Sequence, residues 1–328
     1  MENFYDDWLK FWDKSLKEKQ AARTVIHEAD LQWVETVQDY RVALMGAPEN
    51  GFRTWGSETM IAEIPPDCHT GRHAHGEEAI YIVDGAGFSI VDGTRYDWAK
   101  GSVIWIPFGA QHQHFNTGSS TARYFSGMAL HLEYWVGVGK VEQLEEKGKN
   151  QGKPVEIPLS CDGRDPKGRR IALRFEDAPV VTHDPEDKPS DGAKGQPRVW
   201  DDTMHTHANW RWLMGGKQTG FESREVCISN IMGEEPGFCG SRHAHMEAMI
   251  YILDGEGHSI IDGVKVPWRR GSLLHVQGPQ TVHQHFNTGK VQSSLLRFSP
   301  GIRTHFFDPI ARERFPKVWH APKGRIGE

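Results

Sequence analysis

Two stretches of thirteen residues, HAHGEEAIYIVDG at His73–Gly85 and HAHMEAMIYILDG at His243–Gly255, nearly repeat each other 170 positions apart. Aligned without gaps, Arg72–Ser102 and Arg242–Ser272 agree at roughly 18 of 31 positions. After one inserted residue, His112-Gln-His-Phe-Asn116 returns as His283-Gln-His-Phe-Asn287. A period this long is not that of a solenoid, whose repeats run to about 20–50 residues. The chain therefore carries two copies of a whole domain, and its 328 residues suit two domains of middling size.

Each copy reads as β-structure. IYIVDG, GFSIVDG and GSVIWIP are short apolar or alternating runs broken by Gly and Asp-Gly. Asp92-Gly93 and Asp262-Gly263 are the dipeptide favoured in tight hairpins. Short strands at near-regular spacing predict an all-β chain built of sandwiches or barrels. The flanks differ. Residues 2–22 place Phe4, Trp8, Trp12 and Leu16 at four-residue steps, which predicts an amphipathic helix. Its aromatic stripe is expected to pack on the chain's own barrel; the alternative is a dimer interface, and the exposed-looking aromatics point to a homo-oligomer. Val141–Gln151 (VEQLEEKGKNQ) reads as a short charged helix, and the Pro-, Asp- and Gly-rich Asp177–Pro197 as the linker between domains. The tail, Thr304–Glu328, reads as a closing segment with one short helix. The organisation expected is an N-terminal helical segment (1–50), a first barrel (51–136), a helix and linker (137–200), a second barrel (201–303) and a tail (304–328).

Composition excludes several partners. The net charge of −6 argues against nucleic acid or an anionic membrane surface, both of which select basic proteins. The cysteines (Cys68, Cys161, Cys227, Cys239) show no CxxC pairing and read as free thiols of a reducing compartment. MENFYDDWLKFWDKS carries acids where a signal peptide would be basic, and no run of about 18 apolar residues occurs. A cytoplasmic protein is expected.

The histidines carry the chemistry. In a strand, residues i and i+2 share a face. His73 and His75 therefore project together, as do His243 and His245, and Glu77 and Glu247 continue that period. A second pair follows in each half, His112 with His114 and His283 with His285. Imidazoles from two strands plus a carboxylate make a shell for a divalent metal with open positions, which suits Fe(II), Mn(II) or Ni(II) better than a closed structural zinc site. Imidazole is also a poor core residue unless hydrogen-bonded. The metal set expected is His73, His75, Glu77 and His112, with His243, His245, Glu247 and His283 in the second half.

Gly71–Gly85 and Gly101–Asn116 resemble the two signature motifs of the cupin superfamily, a small antiparallel β-barrel holding one metal in its mouth. Gly101, Pro107, Gly109, His112 and Asn116 follow the second motif residue for residue; Gly271, His283 and Asn287 do so in the other half, with Gln277 in place of the proline. The first motif departs from the family pattern, which leaves three or four residues between the second histidine and the glutamate. Counted back from Gly85, Glu78 takes that place; by strand alternation and agreement between halves, Glu77 does, since Glu78 becomes Ala248 while Glu77 becomes Glu247. Glu77 is favoured; a neutral shell of histidines alone is the third possibility.

Among two-cupin proteins the chain most resembles gentisate- and salicylate-type ring-cleaving dioxygenases. The resemblance implies a non-haem Fe(II) that chelates a hydroxylated aromatic carboxylate with O2 at an adjacent position, mainly in the first barrel. His114, on the His112 face, is a candidate proton relay or orienter. Trp105 and the opposed His275 are candidate pocket walls. Arg123 and Arg297, which follow the second motif on a predicted strand in each half, are candidate holders of the substrate carboxylate. Arg72 and Arg242 should face outward, and Tyr81 and Tyr251 inward as core. The competing enzyme class is a non-oxidative, Mn(II)-dependent decarboxylase, lyase or isomerase of a small acid, on the pattern of oxalate decarboxylase. The non-enzymatic alternative is a sugar-binding or storage bicupin.

Overall fold

The structure is a computed structural model describing residues 3–150, 157–180, 211–215, 217–303, 318–321 and 324–327. The hydrogen-bonded strands form four sheets, two for each copy of the repeat. One six-stranded sheet runs Ala172–Leu173, Val103–Ile106, Glu78–Asp84, Ala122–Met128, Glu58–Ile64, Arg41–Leu44. Its counterpart runs Val25–His27, Ser272–Val276, Ala248–Asp254, Ser294–Pro300, Val226–Met232, Arg211–Trp212. The two remaining sheets carry the histidines, on Arg72–Ala74 and His112–Asn116 in the first half and on Arg242–His245 and Thr281–Asn287 in the second. All these ladders are antiparallel, so each half is a barrel of two facing sheets.

Local chemistry explains the turns. Asp92 and Gly93 have φ of 46° and 78°, and Asp262 and Gly263 of 47° and 84°, the two positive values that a tight hairpin of matching twist requires. The asparagine closing each motif also has a structural duty. Asn116 Nδ2 donates to the Ile64 and Ser120 carbonyls at 2.8 Å, and Asn287 Nδ2 to those of Glu234 (2.7 Å) and Val291 (2.8 Å), satisfying buried carbonyls at a barrel end.

The two six-stranded sheets pack back to back. Phe125 of the first stacks on Tyr251 of the second, with centroids 5.0 Å apart, and both belong to one apolar core that also holds Ile80, Leu273 and Phe298. Gly127 permits the approach, since a Cβ there would sit 2.2 Å from the Phe298 ring. Edge strands cross between the halves. Val25–His27, which leads into the first barrel, pairs with Ser272–Leu274 of the second; Ala172–Leu173, which follows the first barrel, pairs back onto Val103–Ile104. The His275 amide donates to the Thr24 carbonyl (2.9 Å), and the Trp105 amide to that of Ile171 (2.7 Å).

Two expectations fail at the flanks. Helix Phe4–Ala21 forms, with a capping box of Asn3 and Asp6, but its stripe does not pack on the chain's own barrel. Phe4, Trp8 and Trp12 are 67%, 57% and 53% exposed. Val141–Gln151 is not helical where described. Glu142–Glu145 and Gly148–Lys149 are strands on Arg72–Ala74 and Cys68–His69, because the sheet edges there offer hydrogen bonds that an isolated charged helix lacks. Most of the linker, and residues 304–317 where the tail helix was expected, lie outside the described residues; Val318–Ala321 and Gly324–Arg325 are strands. All four cysteines are free. Among the described residues no helix is long and apolar enough to cross a membrane.

Candidate metal centre

His73 and His112 face each other across neighbouring strands. With His75 they form a triangle of imidazoles whose ring centroids are 4.1–4.8 Å apart, and one nitrogen from each lies within 4.8 Å of the others. The second half repeats the triangle with His243, His245 and His283, at 4.4–5.1 Å. Apart from His73 Nδ1, which is buried without a hydrogen-bond partner among the described residues, their outer nitrogens are anchored alike. His75 Nδ1 meets the Gly76 carbonyl (2.9 Å), His112 Nδ1 that of Ala110 (2.9 Å), His243 Nδ1 that of Ser241 (2.8 Å) and His283 Nδ1 that of Thr281 (3.0 Å). A carbonyl only accepts, so each of these rings carries its proton on Nδ1 and presents an Nε2 lone pair inward.

The fit to a cation follows from this electrostatic setting. His112 Nε2 is buried without a hydrogen-bond partner among the described residues. Burial holds the imidazoles neutral: His73 is pushed down to about 3, helped by His75 and His114, and His112 lies well below the ordinary value. Converging neutral lone pairs with no donor to satisfy them are what a divalent cation takes up.

Glu77, the carboxylate favoured from sequence, does not join this group. Its carboxylate accepts from the backbone amides of Arg224 (2.7 Å) and Glu225 (2.8 Å) in the other half. Glu78 takes the inward place, with Oε2 3.7 Å from His75 Nε2 and 3.6 Å from His112 Nε2. Alternation does not carry through because Arg72–Ala74 ends before Gly76, and Glu78 opens a strand of the opposite sheet. Burial pushes the Glu78 carboxyl up to about 7, so cation entry and proton loss are coupled there. In the second half Glu247 likewise turns away, taking the Trp55 amide (3.0 Å) and His275 Nε2 (2.6 Å), and Ala248 stands in the place of Glu78. The second cluster is thus three histidines with no carboxylate among the described residues.

His114 is wired differently. Its Nδ1 is 2.7 Å from Ser89 Oγ, which also accepts from Trp98 Nε1 at 3.0 Å. Indole only donates, and Ser89 has no other side-chain hydrogen bond among the described residues. The serine proton therefore goes to His114 Nδ1, leaving the His114 proton on Nε2 as a donor. His285, Ser259 and Trp268 repeat the chain at 2.7 and 3.0 Å. Ser89→Ala should release this orientation and lower turnover by about 10- to 100-fold with metal content unchanged, the usual cost of losing a supporting contact; metal analysis alongside a rate assay checks it.

Arg123 and Trp105 lie outside the site. Arg123 alternates with the inward Tyr124 and pairs instead with Glu28 (2.8 Å) and Glu63. Trp105 faces the other half, opposite Ala79, with the Arg169 guanidinium 5.6 Å from its ring. Arg72 faces outward to Glu145 as expected (2.7 Å), and Arg297 Nε donates to Ser229 Oγ (2.8 Å). The groups that sequence reasoning missed are Asp39 and Tyr124, whose hydroxyl donates to Asp39 Oδ1 at 2.9 Å. Burial pushes the Asp39 carboxyl up to about 6 against the opposing pull of that bond.

A cavity of about 160 Å³ opens on His73, His75, Glu78 and His114. Val42, Met60, Ala62, Met128 and Leu130 give it an aliphatic wall; Gln38, Asp39, Tyr124 and Gln143 supply polar groups. No Lys or Arg of the described residues lines it. A larger surface hollow of about 490 Å³ beside Trp33, Arg41 and Arg270 touches neither histidine cluster.

Comparison with known proteins agrees with this architecture. Residues 60–128 and 231–297 each match the cupin domain family. A 5-aminosalicylate 1,2-dioxygenase from a Comamonas species is 34% identical over 62 residues, a match spanning 19% of this chain and 16% of that protein. The salicylate 1,2-dioxygenase of Pseudoaminobacter salicylatoxidans, solved with gentisate, superposes with a TM-score of 0.61 at 14% identity, covering 98% of this chain and 94% of that one. Bacillus subtilis oxalate decarboxylase, as a point variant, also gives 0.61, at 13% identity over 85% of this chain and 77% of its own. At such identities the likeness is one of fold.

Proposed function

We propose, from two cupin domains in one chain, each with a triangle of histidines, that the protein is a non-haem Fe(II)-dependent ring-cleaving dioxygenase acting on a hydroxylated aromatic carboxylate in the first barrel. The observation that carries the reading is the cavity. At about 160 Å³ it is close to the roughly 150 Å³ apolar void known to admit benzene, so it takes one ring and not two. Its aliphatic wall suits a ring better than a small diacid. The partial match to 5-aminosalicylate 1,2-dioxygenase points the same way.

His73, His75 and His112 would hold the metal, with Glu78 able to complete the set. A bound divalent iron supplies Lewis acidity and one-electron chemistry toward O2. His114 Nε2–H supplies a hydrogen bond beside His112, held in place by Ser89 and Trp98. The aliphatic wall excludes water. With no cationic side chain on the wall among the described residues, the substrate carboxylate depends on the metal for its counter-charge. Chelating the metal should therefore abolish salicylate binding in a calorimetric titration, and binding that survives metal removal would count against this arrangement.

The test of function is oxygen uptake by Fe(II)-loaded protein over gentisate, salicylate and substituted salicylates, with absorbance followed for a ring-opened product. One O2 consumed per substrate supports the reading; no uptake with stoichiometric iron rejects it. The second reading is a non-oxidative, Mn(II)-dependent decarboxylase. What favours it is Glu78 beside the triangle, together with the equal structural likeness to oxalate decarboxylase. Its turnover would persist under anaerobic conditions. In either reading the second barrel binds metal through His243, His245 and His283, and small acids rather than macromolecules are the partners.

A further inference from the structure

We infer that Asp39 and Tyr124 form a recognition pair for a hydrogen-bond-donating substituent, a hydroxyl or an amine, on the ring edge opposite the metal-binding groups of the substrate. The inference rests on the reading of the cavity as the substrate site and names the substrate class within it.

The pair is an acceptor placed in a largely apolar wall. Tyr124 fills one of about four acceptor positions of the Asp39 carboxylate, leaving the others for a ligand. Lining the cavity beside it are Val42, Met60 and Ala62, which offer nothing to satisfy them. The loop bearing Asp39 is fixed. Thr36 Oγ1 accepts from the amides of Gln38 (3.1 Å) and Asp39 (2.9 Å), and the Thr36 amide donates to the Asp39 carbonyl (2.9 Å). Neighbouring strands brace it, with the Lys147 amide on the Val37 carbonyl and the Gly71 amide on that of Gln38, both at 2.9 Å. An acceptor held this firmly binds its partner with little ordering cost.

The pair shares the cavity with the triangle. The Tyr124 ring is 5.6 Å from His114, which is 5.6 Å from His112, and Asp39 and Tyr124 line the same cavity as His73 and His75. A ring chelated at the triangle would present an edge to Asp39. An unsubstituted ring would cover the remaining acceptor positions of the Asp39 carboxylate without filling them, whereas a hydroxyl or amine restores the lost hydrogen bond.

The second barrel shows that the pair is not a requirement of the fold. Tyr124 pairs with Ile82, and the equivalent pair there is Leu295 with Ile252, inside an apolar cluster. The tyrosine is specific to the barrel that also has Glu78.

The test is equilibrium binding to metal-loaded protein without oxygen, using salicylate, its 4-hydroxy, 5-hydroxy and 5-amino derivatives, and 5-methylsalicylate as a size control. The wild type should bind at least one hydroxyl or amino compound about 10- to 100-fold more tightly than the methyl control, the usual worth of a hydrogen bond to a charged group. Asp39→Asn should shrink that ratio to within about threefold, and Tyr124→Phe should reduce it partway. A merely structural role shifts all ligands together and keeps the ratio. A ratio unchanged in both variants, or no preference in the wild type, overturns the inference while the aromatic-acid reading stands. Failure of every aromatic acid to bind the metal-loaded wild type overturns both.

Discussion

His112→Ala is expected to abolish oxygen uptake on aromatic acids and to halve the metal held per chain. The side chain is buried, its Nδ1 is anchored to Ala110, and its Nε2 has no hydrogen-bond partner among the described residues. Alanine therefore removes a metal donor without leaving any other group unpaired except the Ala110 carbonyl. Loss of a supporting contact alone typically costs about 10- to 100-fold, so loss of the donor should exceed about 100-fold. The comparison is His283→Ala, which removes the corresponding donor of the second triangle. It should also lose one metal but retain most of the uptake. Metal analysis and oxygen electrode traces on both variants decide the matter. Equal loss of activity in the two would show that catalysis is shared between barrels, or that the second metal is needed for the first site to fold.

The second large effect is on stability. Glu247→Ala should destabilise the chain by about 2–6 kcal/mol, since it removes the acceptor of two hydrogen bonds and each polar group left unsatisfied on burial costs about 1–3 kcal/mol. Glu247 is fully buried, and its carboxylate accepts from the Trp55 amide of the other half and meets His275 Nε2. Alanine removes the acceptor that these two groups share. The expected fall in Tm is roughly 10 °C on the scaling of about 2–4 °C per kcal/mol for larger domains. Glu247→Gln keeps one oxygen and should lose less. Thermal unfolding of both variants, with and without metal, provides the measurement; a Glu247→Ala shift under about 2 °C, below the scaling for 1 kcal/mol, would remove the clamp from this account.

Much of the centre was legible because it depends on the shortest-range rule available. His73 lies on a strand and His75 one residue past its end, while His112 and His114 share a strand, so alternation brings each pair to one face, and duplication supplied a second copy in register. The Asp-Gly turns were legible for the same reason, being set by two residues. What sequence misassigned required a parity carried across a break. Glu77 was favoured over Glu78 by counting through Gly76, where the chain leaves one sheet for the other. Arg123 and Trp105 were candidates only because each lies on a strand within or next to the second motif, and nearness along the chain does not say which face of a sheet a side chain takes. Asp39 could not be read at all: it reaches the cavity from a loop 34 residues upstream of His73, through contacts with Thr36, Gly71 and Lys147 that no local pattern announces. The charge of Val141–Gln151 suggested a helix face, but two open sheet edges took the segment as strands.

The crossed edge strands have a consequence for how such a chain is put together. Val25 is to Leu274 as Ala172 is to Ile104, and the two partners are 170 residues apart, the period of the repeat. Each half lends its leading strand to the other and receives one in return. Two unlinked copies of the half-chain could reproduce this arrangement only as a reciprocal swap between protomers. Fusion turns that exchange into an intramolecular event, replacing protomer concentration with the effective concentration set by the connection between halves. Cutting the chain ahead of Ile171 therefore does not yield two free-standing units: each fragment retains a leader whose docking edge is on the other, and each is left with an open sheet edge.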